Sequence, residues 1–195
     1  MVPVILVRDH LLLPRLQQSL YYHKCRPVSN DLTISILGRA KAAGFTALVV
    51  TLDTFTIGWR PHDLETAYLP DEAAVGAQVG TSDPVFMKRL GLPVLRDERP
   101  AFPLDLEAFR KRLTAGDKEA AVSFKIGEAW IQETASGTFR TWEDLAFLRE
   151  NWDGPLVVKG VQTVEDAHAA MDARMDGIIV SNHGMVEFRP DQGST

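Results

Sequence analysis

Three short apolar runs in this chain stop at residues that can do chemistry. Ala47-Leu48-Val49-Val50-Thr51-Leu52 ends at Asp53, Leu156-Val157-Val158 ends at Lys159, and Gly177-Ile178-Ile179-Val180 ends at Ser181, Asn182 and His183. In parallel α/β proteins functional groups gather at the C-terminal edges of the strands, because the loops there converge on one face of a rigid scaffold. A carboxylate, an ammonium and an imidazole brought to one such edge supply an orienting anion, a cation for developing negative charge and a proton-transfer base. Each residue also has a plainer reading. His183 can simply terminate a strand through hydrogen bonds. Lys159 has part of its stem in an apolar strand, where desolvation perturbs an ammonium, or it snorkels to the surface. Arg60, after Gly58-Trp59, either clamps a carboxylate bidentately or pairs on the surface. Gly76-Ala-Gln-Val-Gly80 is spaced too loosely to cradle a phosphate.

The elements that must carry these residues are legible as strand, turn and helix. Asp31–Ala43 reads as a helix capped by Ser29 or Asn30, with Leu32, Ile36, Ala40 and Ala43 on one face and Gly44 as its stop. The strand leading to Asp53 follows at once. Trp142–Asn151 reads as a second helix, capped by Thr141 with Asp144 as partner, running into the strand that begins at Pro155. Thr163 and Asp166 form the same capping signature for a helix over Thr163–Ala173, whose Val164, His168 and Met171 face is expected to pack on a sheet. The run from Asp176 to Val180 reads as a strand buried on both sides. Its distance of about 22 residues from the Pro155 strand fits one right-handed βαβ unit. Between Asp53 and Pro155 lie about 100 residues with scattered Pro and Gly, read as an insertion with a helix at Leu104–Leu113 and no assignment for Ala121–Ile131.

Composition bounds the partners. The 195 residues carry a formal charge of −5 with 45% hydrophobic and 24% charged residues, the profile of a soluble globular protein of one domain, or one and a half at most. No apolar run approaches the roughly 20 residues of a membrane span. Asp9 interrupts the apolar opening Met1–Leu13, which argues against a signal peptide and for the cytoplasm, with peroxisome and mitochondrion left open. Cys25 is the single cysteine, so neither an internal disulfide nor a cysteine-based zinc site can form. Net negative charge without a basic cluster disfavours nucleic acid and leaves a small molecule as the expected partner.

These residues also match a known pattern. The stretch Thr141-Trp-Glu-Asp-Leu, the run Leu156-Val-Val-Lys-Gly-Val-Gln-Thr-Val-Glu-Asp-Ala and the run Gly177-Ile-Ile-Val-Ser-Asn-His-Gly184 closely resemble the FMN-dependent 2-hydroxy acid dehydrogenase/oxidase family. Ala42-Ala-Gly-Phe-Thr-Ala-Leu-Val-Val-Thr-Leu-Asp-Thr and Gly58-Trp-Arg-Pro-His-Asp63 are similar to it too, the second most of all to its lactate 2-monooxygenase branch. The resemblance implies a (β/α)8 TIM barrel holding FMN at its C-terminal mouth, and oxidation of a small (S)-2-hydroxy acid such as lactate. It implies His183 as the base that takes the hydroxyl proton, Asp53 as the carboxylate that orients it, and Arg60 beside the reacting centre. It further implies Thr51 and Ser181 on the flavin ring, Lys159 as the cation beside the ring's pyrimidine end, and a homo-oligomer. In Ser19-Leu20-Tyr21-Tyr22, Tyr21 stands where the family has its substrate-binding tyrosine, or is a core tyrosine with its hydroxyl at the rim.

The chain departs from the family after His183. The family continues Ser-Asn-His-Gly with Gly-Arg, the arginine gripping the substrate carboxylate, whereas here Met185-Val186-Glu187-Phe188 follows. A (β/α)8 barrel takes about 250 residues, and its phosphate site comes from the loops after strands seven and eight. The expected architecture is therefore a partial barrel: its middle strands, a long inserted loop over 54–140, and no last two strands. The alternative expectation is a truncated, catalytically inactive family member with at most an interaction role through exposed strand edges.

Overall fold

The computed structural model describes residues 29–53, 65, 69–96, 104–137 and 141–182 in full, and 4–8 and 20–21 by their backbone. Arg60 and His183 lie outside the described residues, as does the side chain of Tyr21. In chain order the elements are β1 (Val4–Arg8), β2 (Leu20–Tyr21), α1 (Asn30–Ala42), β3 (Phe45–Thr51), a 3₁₀ turn at Pro70–Ala73, α2 (Gln78–Thr81), α3 (Pro84–Leu90), α4 (Leu106–Thr114), α5 (Lys118–Thr134), α6 (Asp144–Asn151), β4 (Leu156–Val161), α7 (Val164–Asp172) and β5 (Gly177–Val180). They divide into two compact units, one built on the sheet and one helical. Among the described residues no helix is long and apolar enough to cross a membrane.

The sheet unit takes residues 1–25, 41–55 and 139–195. Its strand order is β2-β1-β3-β4-β5, with β1 antiparallel to both neighbours and β3, β4 and β5 mutually parallel. The fold is thus α/β with a three-stranded parallel segment, and β4–α7–β5 is the expected βαβ unit. Thr163 caps α7, its hydroxyl accepting from the Asp166 amide at 3.0 Å and donating to the Asp166 carboxylate at 2.9 Å. At α6 the Asp144 carboxylate accepts from the Thr141 amide at 2.8 Å, and i→i+3 bonds delay the helix by two residues from its expected start.

Side chains on a strand alternate in direction, so register sorts them onto two faces. Leu48, Val50, Leu156 and Val158 share one face and are all fully buried. Val49, Thr51, Val157, Lys159 and Ile179 share the other, which is more open toward β5. The register is fixed at the strand starts. The Leu48 amide donates to the Pro155 carbonyl at 2.9 Å, and Gly154 passes so close to the Thr46 carbonyl that a Cβ there would lie 2.1 Å from its oxygen. The Asp176 carboxylate accepts from the Leu156 amide at 2.8 Å while the Asp176 amide donates to the Leu156 carbonyl at 2.8 Å, tying β5 to β4. Arg149 braces this junction, donating to the Asp176 carboxylate at 2.6 Å and to the Arg174 carbonyl at 3.0 Å.

Two expectations for this unit are corrected. The Asp176–Val180 strand is not buried on both sides: Ile178 and Ile179 are exposed and Val180 is 75% exposed, because among the described residues no strand pairs with the outer edge of β5. The α7 face is not Val164, His168 and Met171 either. Val164 and Met171 are 66% and 72% exposed, and the buried residue is Ala170. A small residue is what lets a helix lie close to strands.

The helical unit takes residues 26–40 and 56–138. Residues 30–40 of α1 belong to it, burying the expected Leu32, Ile36 and Ala40 together with Thr33 and Leu37, while Ala43, expected on the same face, is exposed. Much of the segment expected to be a long inserted loop is helix. Asp105 caps α4 and Asp117 caps α5, each carboxylate accepting an amide three residues on at 2.9 Å. Buried Phe86 and Trp130 meet edge to face, centroids 5.2 Å apart. Asp83, fully buried, organises α3: one carboxylate oxygen accepts the Val85 and Phe86 amides, and the other accepts from Ser35 at 2.8 Å and Arg39 at 3.0 Å.

Candidate functional site

The C-terminal ends of β3, β4 and β5 bring Thr51, Asp53, Lys159 and Ser181 to one edge of the parallel segment, while Arg60 and His183 lie outside the described residues. Thr51 is paired in register with Lys159, and Lys159 with Ile179. The Leu52 amide donates to the Lys159 carbonyl at 2.7 Å and the Ser181 amide to the Val161 carbonyl at 3.3 Å, so the ladder runs one residue past each of β3 and β5. The strand ends that present Asp53, Lys159 and Ser181 are therefore neighbours held by backbone hydrogen bonds.

Thr51 occupies an unusual environment. It is 0% exposed, and its hydroxyl finds no hydrogen-bond partner among the described residues. A buried hydroxyl left unpaired costs about 1–3 kcal/mol, so this one calls for a partner beyond the described residues. By register it shares its face with Lys159, so a donor and a cation stand side by side on one face of the sheet. Lys159 is half-buried at the rim.

Asp53 lies against β4 at its second distinctive residue. Gly160 has φ +99°, and the register steps from Lys159 opposite Ile179 to Val161 opposite Val180, so Gly160 is an extra residue bulged out of the ladder. The Asp53 side chain fills the space beside it. No pattern in the sequence announces this contact, since it exists only once the bulge has formed. A Lys-Gly pair inside an apolar strand is the one available hint, because glycine in a strand interior often marks a bulge or a close approach.

The ionisable group whose titration is displaced near these strands is at their opposite end. The Leu156 amide, and after it the Arg149 guanidinium, hold the Asp176 carboxyl below the ordinary carboxylate range. Its role is to fix register rather than to react. Among the described residues no cluster of His, Cys, Asp or Glu is arranged to hold a metal ion.

The family model for FMN-dependent dehydrogenases matches residues 15–189. An FMN-dependent alpha-hydroxy acid dehydrogenase of Schizosaccharomyces pombe is 41% identical over 156 residues, covering 79% of this chain and 33% of the relative. One from Penicillium citrinum is 39% identical over 154 residues, covering 79% and 33%. An L-lactate oxidase of Lysinibacillus sphaericus is 30% identical over 159 residues, covering 80% and 33%. The chain thus spans about a third of the length of the curated relatives it matches. Among solved structures a mandelate oxidase aligns at 24% identity with a TM-score of 0.47, over 83% of this chain and 33% of that one.

Proposed function

The chain belongs to the FMN-dependent dehydrogenase family, and from that premise we propose that its three parallel strand ends form the catalytic part of a flavin site that oxidises a small 2-hydroxy acid such as lactate. The observation that carries this reading is the Thr51 hydroxyl, fully buried, lacking a partner among the described residues, and on the same face of the sheet as its register partner Lys159. A flavin ring bears the carbonyl and ring-nitrogen acceptors that such a donor lacks, and its electron-rich end suits a neighbouring ammonium, so the residues present fit the cofactor. FMN, when bound, supplies the hydride acceptor.

The chain's own residues divide the remaining work. Thr51 and Ser181 hold the ring by hydrogen bonds, and Lys159 places positive charge beside it. His183 takes the proton of the substrate's 2-hydroxyl as hydride leaves the carbon that bears it, so a 2-keto acid results. Asp53 orients the imidazole and stabilises its protonated form, as a carboxylate does for a histidine base. Arg60 stabilises negative charge at the substrate, and Tyr21 contacts it. In this reading β3, β4 and β5 are an arc of a (β/α)8 barrel, with residues 54–140 inserted between two adjacent strands of it; the direct parallel pairing of β3 with β4 supports that placement.

A second reading, a family member that folds without catalysis, is favoured by the exposed apolar strand β5 at the edge of the sheet. One experiment separates the two. The purified chain is mixed with FMN, desalted, and its visible spectrum recorded before and after anaerobic addition of L-lactate. Retained yellow colour that bleaches with lactate is the expected result. A colourless protein overturns the catalytic reading for this polypeptide and favours the second.

A further inference from the structure

Strand β4 leaves regular pleating at one residue, and what occupies the resulting space is a carboxylate. A Cβ placed on Gly160 would lie 2.7 Å from Asp53 Cγ and 2.9 Å from both Asp53 Cβ and Oδ2. Contacts that short are not tolerated between carbon atoms, whose optimal separation is about 3.5–4.0 Å. Because Asp53 Cβ itself is among the overlapping atoms, rotating the Asp53 side chain does not clear the clash; the end of β3 must move. Gly91, by contrast, has φ +71° with nothing within 4 Å of its would-be Cβ, so it uses glycine for backbone freedom alone.

We propose that Gly160 is a positioning residue for the reaction: its bulge and missing side chain seat the Asp53 carboxylate against β4, next to Lys159, and so fix the anion that aligns the base. The role given to Asp53 rests on the function proposed above, while the seating itself rests on the Gly160 contact. The bulge at Gly160 also explains how one strand can present the Lys159 side chain to its open face and, one residue later, receive a side chain from β3.

The test is a double-mutant cycle on the full chain without cofactor, using Gly160→Ala, Asp53→Gly and the double variant, with Gly91→Ala as control. Urea unfolding of Gly91→Ala should lower the folding equilibrium constant roughly fivefold to thirtyfold, the ordinary cost of left-handed backbone for an L-residue. Gly160→Ala should lose at least tenfold more, and that excess should vanish in the Asp53→Gly background, which has no side chain to displace. If Gly160→Ala does not fold, the double variant should. The ¹³C resonance of the Asp53 carboxyl should move in Gly160→Ala and stay in place in Gly91→Ala. An excess that persists with Asp53→Gly, a loss no larger than the control's, or an unmoved carboxyl resonance overturns the proposal. Failure of the wild-type chain to retain FMN would instead remove the functional reading and leave the outcome of this cycle standing.

Discussion

Replacing Thr51 by valine should make the cofactor-free chain more stable and its hold on FMN weaker. Valine keeps the shape and removes the hydroxyl, which is fully buried without a partner among the described residues. Relief of an unpaired buried hydroxyl returns about 1–3 kcal/mol, and the extra methyl buries further apolar surface worth about 0.8 kcal/mol. Imperfect fit of the methyl takes back part of this, leaving about 1–2 kcal/mol of net stabilisation, or roughly 3–6 °C in Tm for a chain of this size. The same change deletes one hydrogen bond to the flavin, worth about 0.5–1.5 kcal/mol, so the FMN dissociation constant should rise roughly twofold to tenfold. Thr134 is the internal control. It too is buried, but its hydroxyl donates to the Trp130 carbonyl at 2.7 Å, so Thr134→Val should destabilise by about 1 kcal/mol. Thermal unfolding followed by circular dichroism reads the stabilities, and quenching of flavin fluorescence reads the binding. Destabilisation by Thr51→Val would show that the hydroxyl is already satisfied, and an unchanged dissociation constant would show that this face does not meet the ring.

Two further outcomes follow from the sheet. The Asp176 carboxyl is held below its ordinary value, so its contribution to stability is complete above the unfolded-state value near 3.9 and disappears as pH falls through the lower native value. Asp176→Asn should therefore flatten the acid limb of a urea-midpoint against pH profile below about pH 4, and, because the group is half-exposed, lower stability at neutral pH by only about 1 kcal/mol; an unchanged acid limb would refute the register-lock role. Val180, 75% exposed on the edge strand, should promote self-association, so Val180→Glu should reduce light scattering at high concentration while changing unfolding stability by no more than about 0.5 kcal/mol; unchanged scattering would mean that this edge is not the sticky surface.

The elements around the three strand ends were legible because their signals are local. Gly44 with φ +81° after the periodic Leu32, Ile36 and Ala40, and Thr163 with Asp166, are start and stop marks that act within one turn, and each does in the structure what its chemistry predicts. Helix α5 escaped because its buried face is Ala120, Ile126, Gly127, Trp130 and Thr134, too small and too polar to read as an apolar stripe; Asp117, accepting from the Ala120 amide, was the readable mark. The exposure of β5 was illegible for a different reason. Gly177-Ile178-Ile179-Val180 is equally apolar whether or not a neighbour covers it, so the residues carry no record of the tertiary partner. The register that pairs Thr51 with Lys159 is likewise set far from both, by Gly154 against the Thr46 carbonyl and the Leu48 amide on the Pro155 carbonyl at the opposite ends of the strands.

Sequences that specify one structure satisfy local rules nearly everywhere, and departures concentrate where function requires them. Among the described residues Thr51 and Arg149 each keep a buried polar atom that makes no hydrogen bond. Arg149 is accounted for by the bonds its other nitrogens make to Gly154, Arg174 and Asp176. Thr51 remains, on one side of Leu52 at the end of β3, and on the other side Asp53 sits against the bulged Gly160. A packing fault would relax by moving the end of β3. Here that end is instead held in place by the Leu52 amide on the Lys159 carbonyl at 2.7 Å. An arrangement that is locally costly, clustered at strand ends and fixed by backbone hydrogen bonds is what a preorganised ligand site requires, because groups that need not rearrange when the ligand arrives interact with it most strongly.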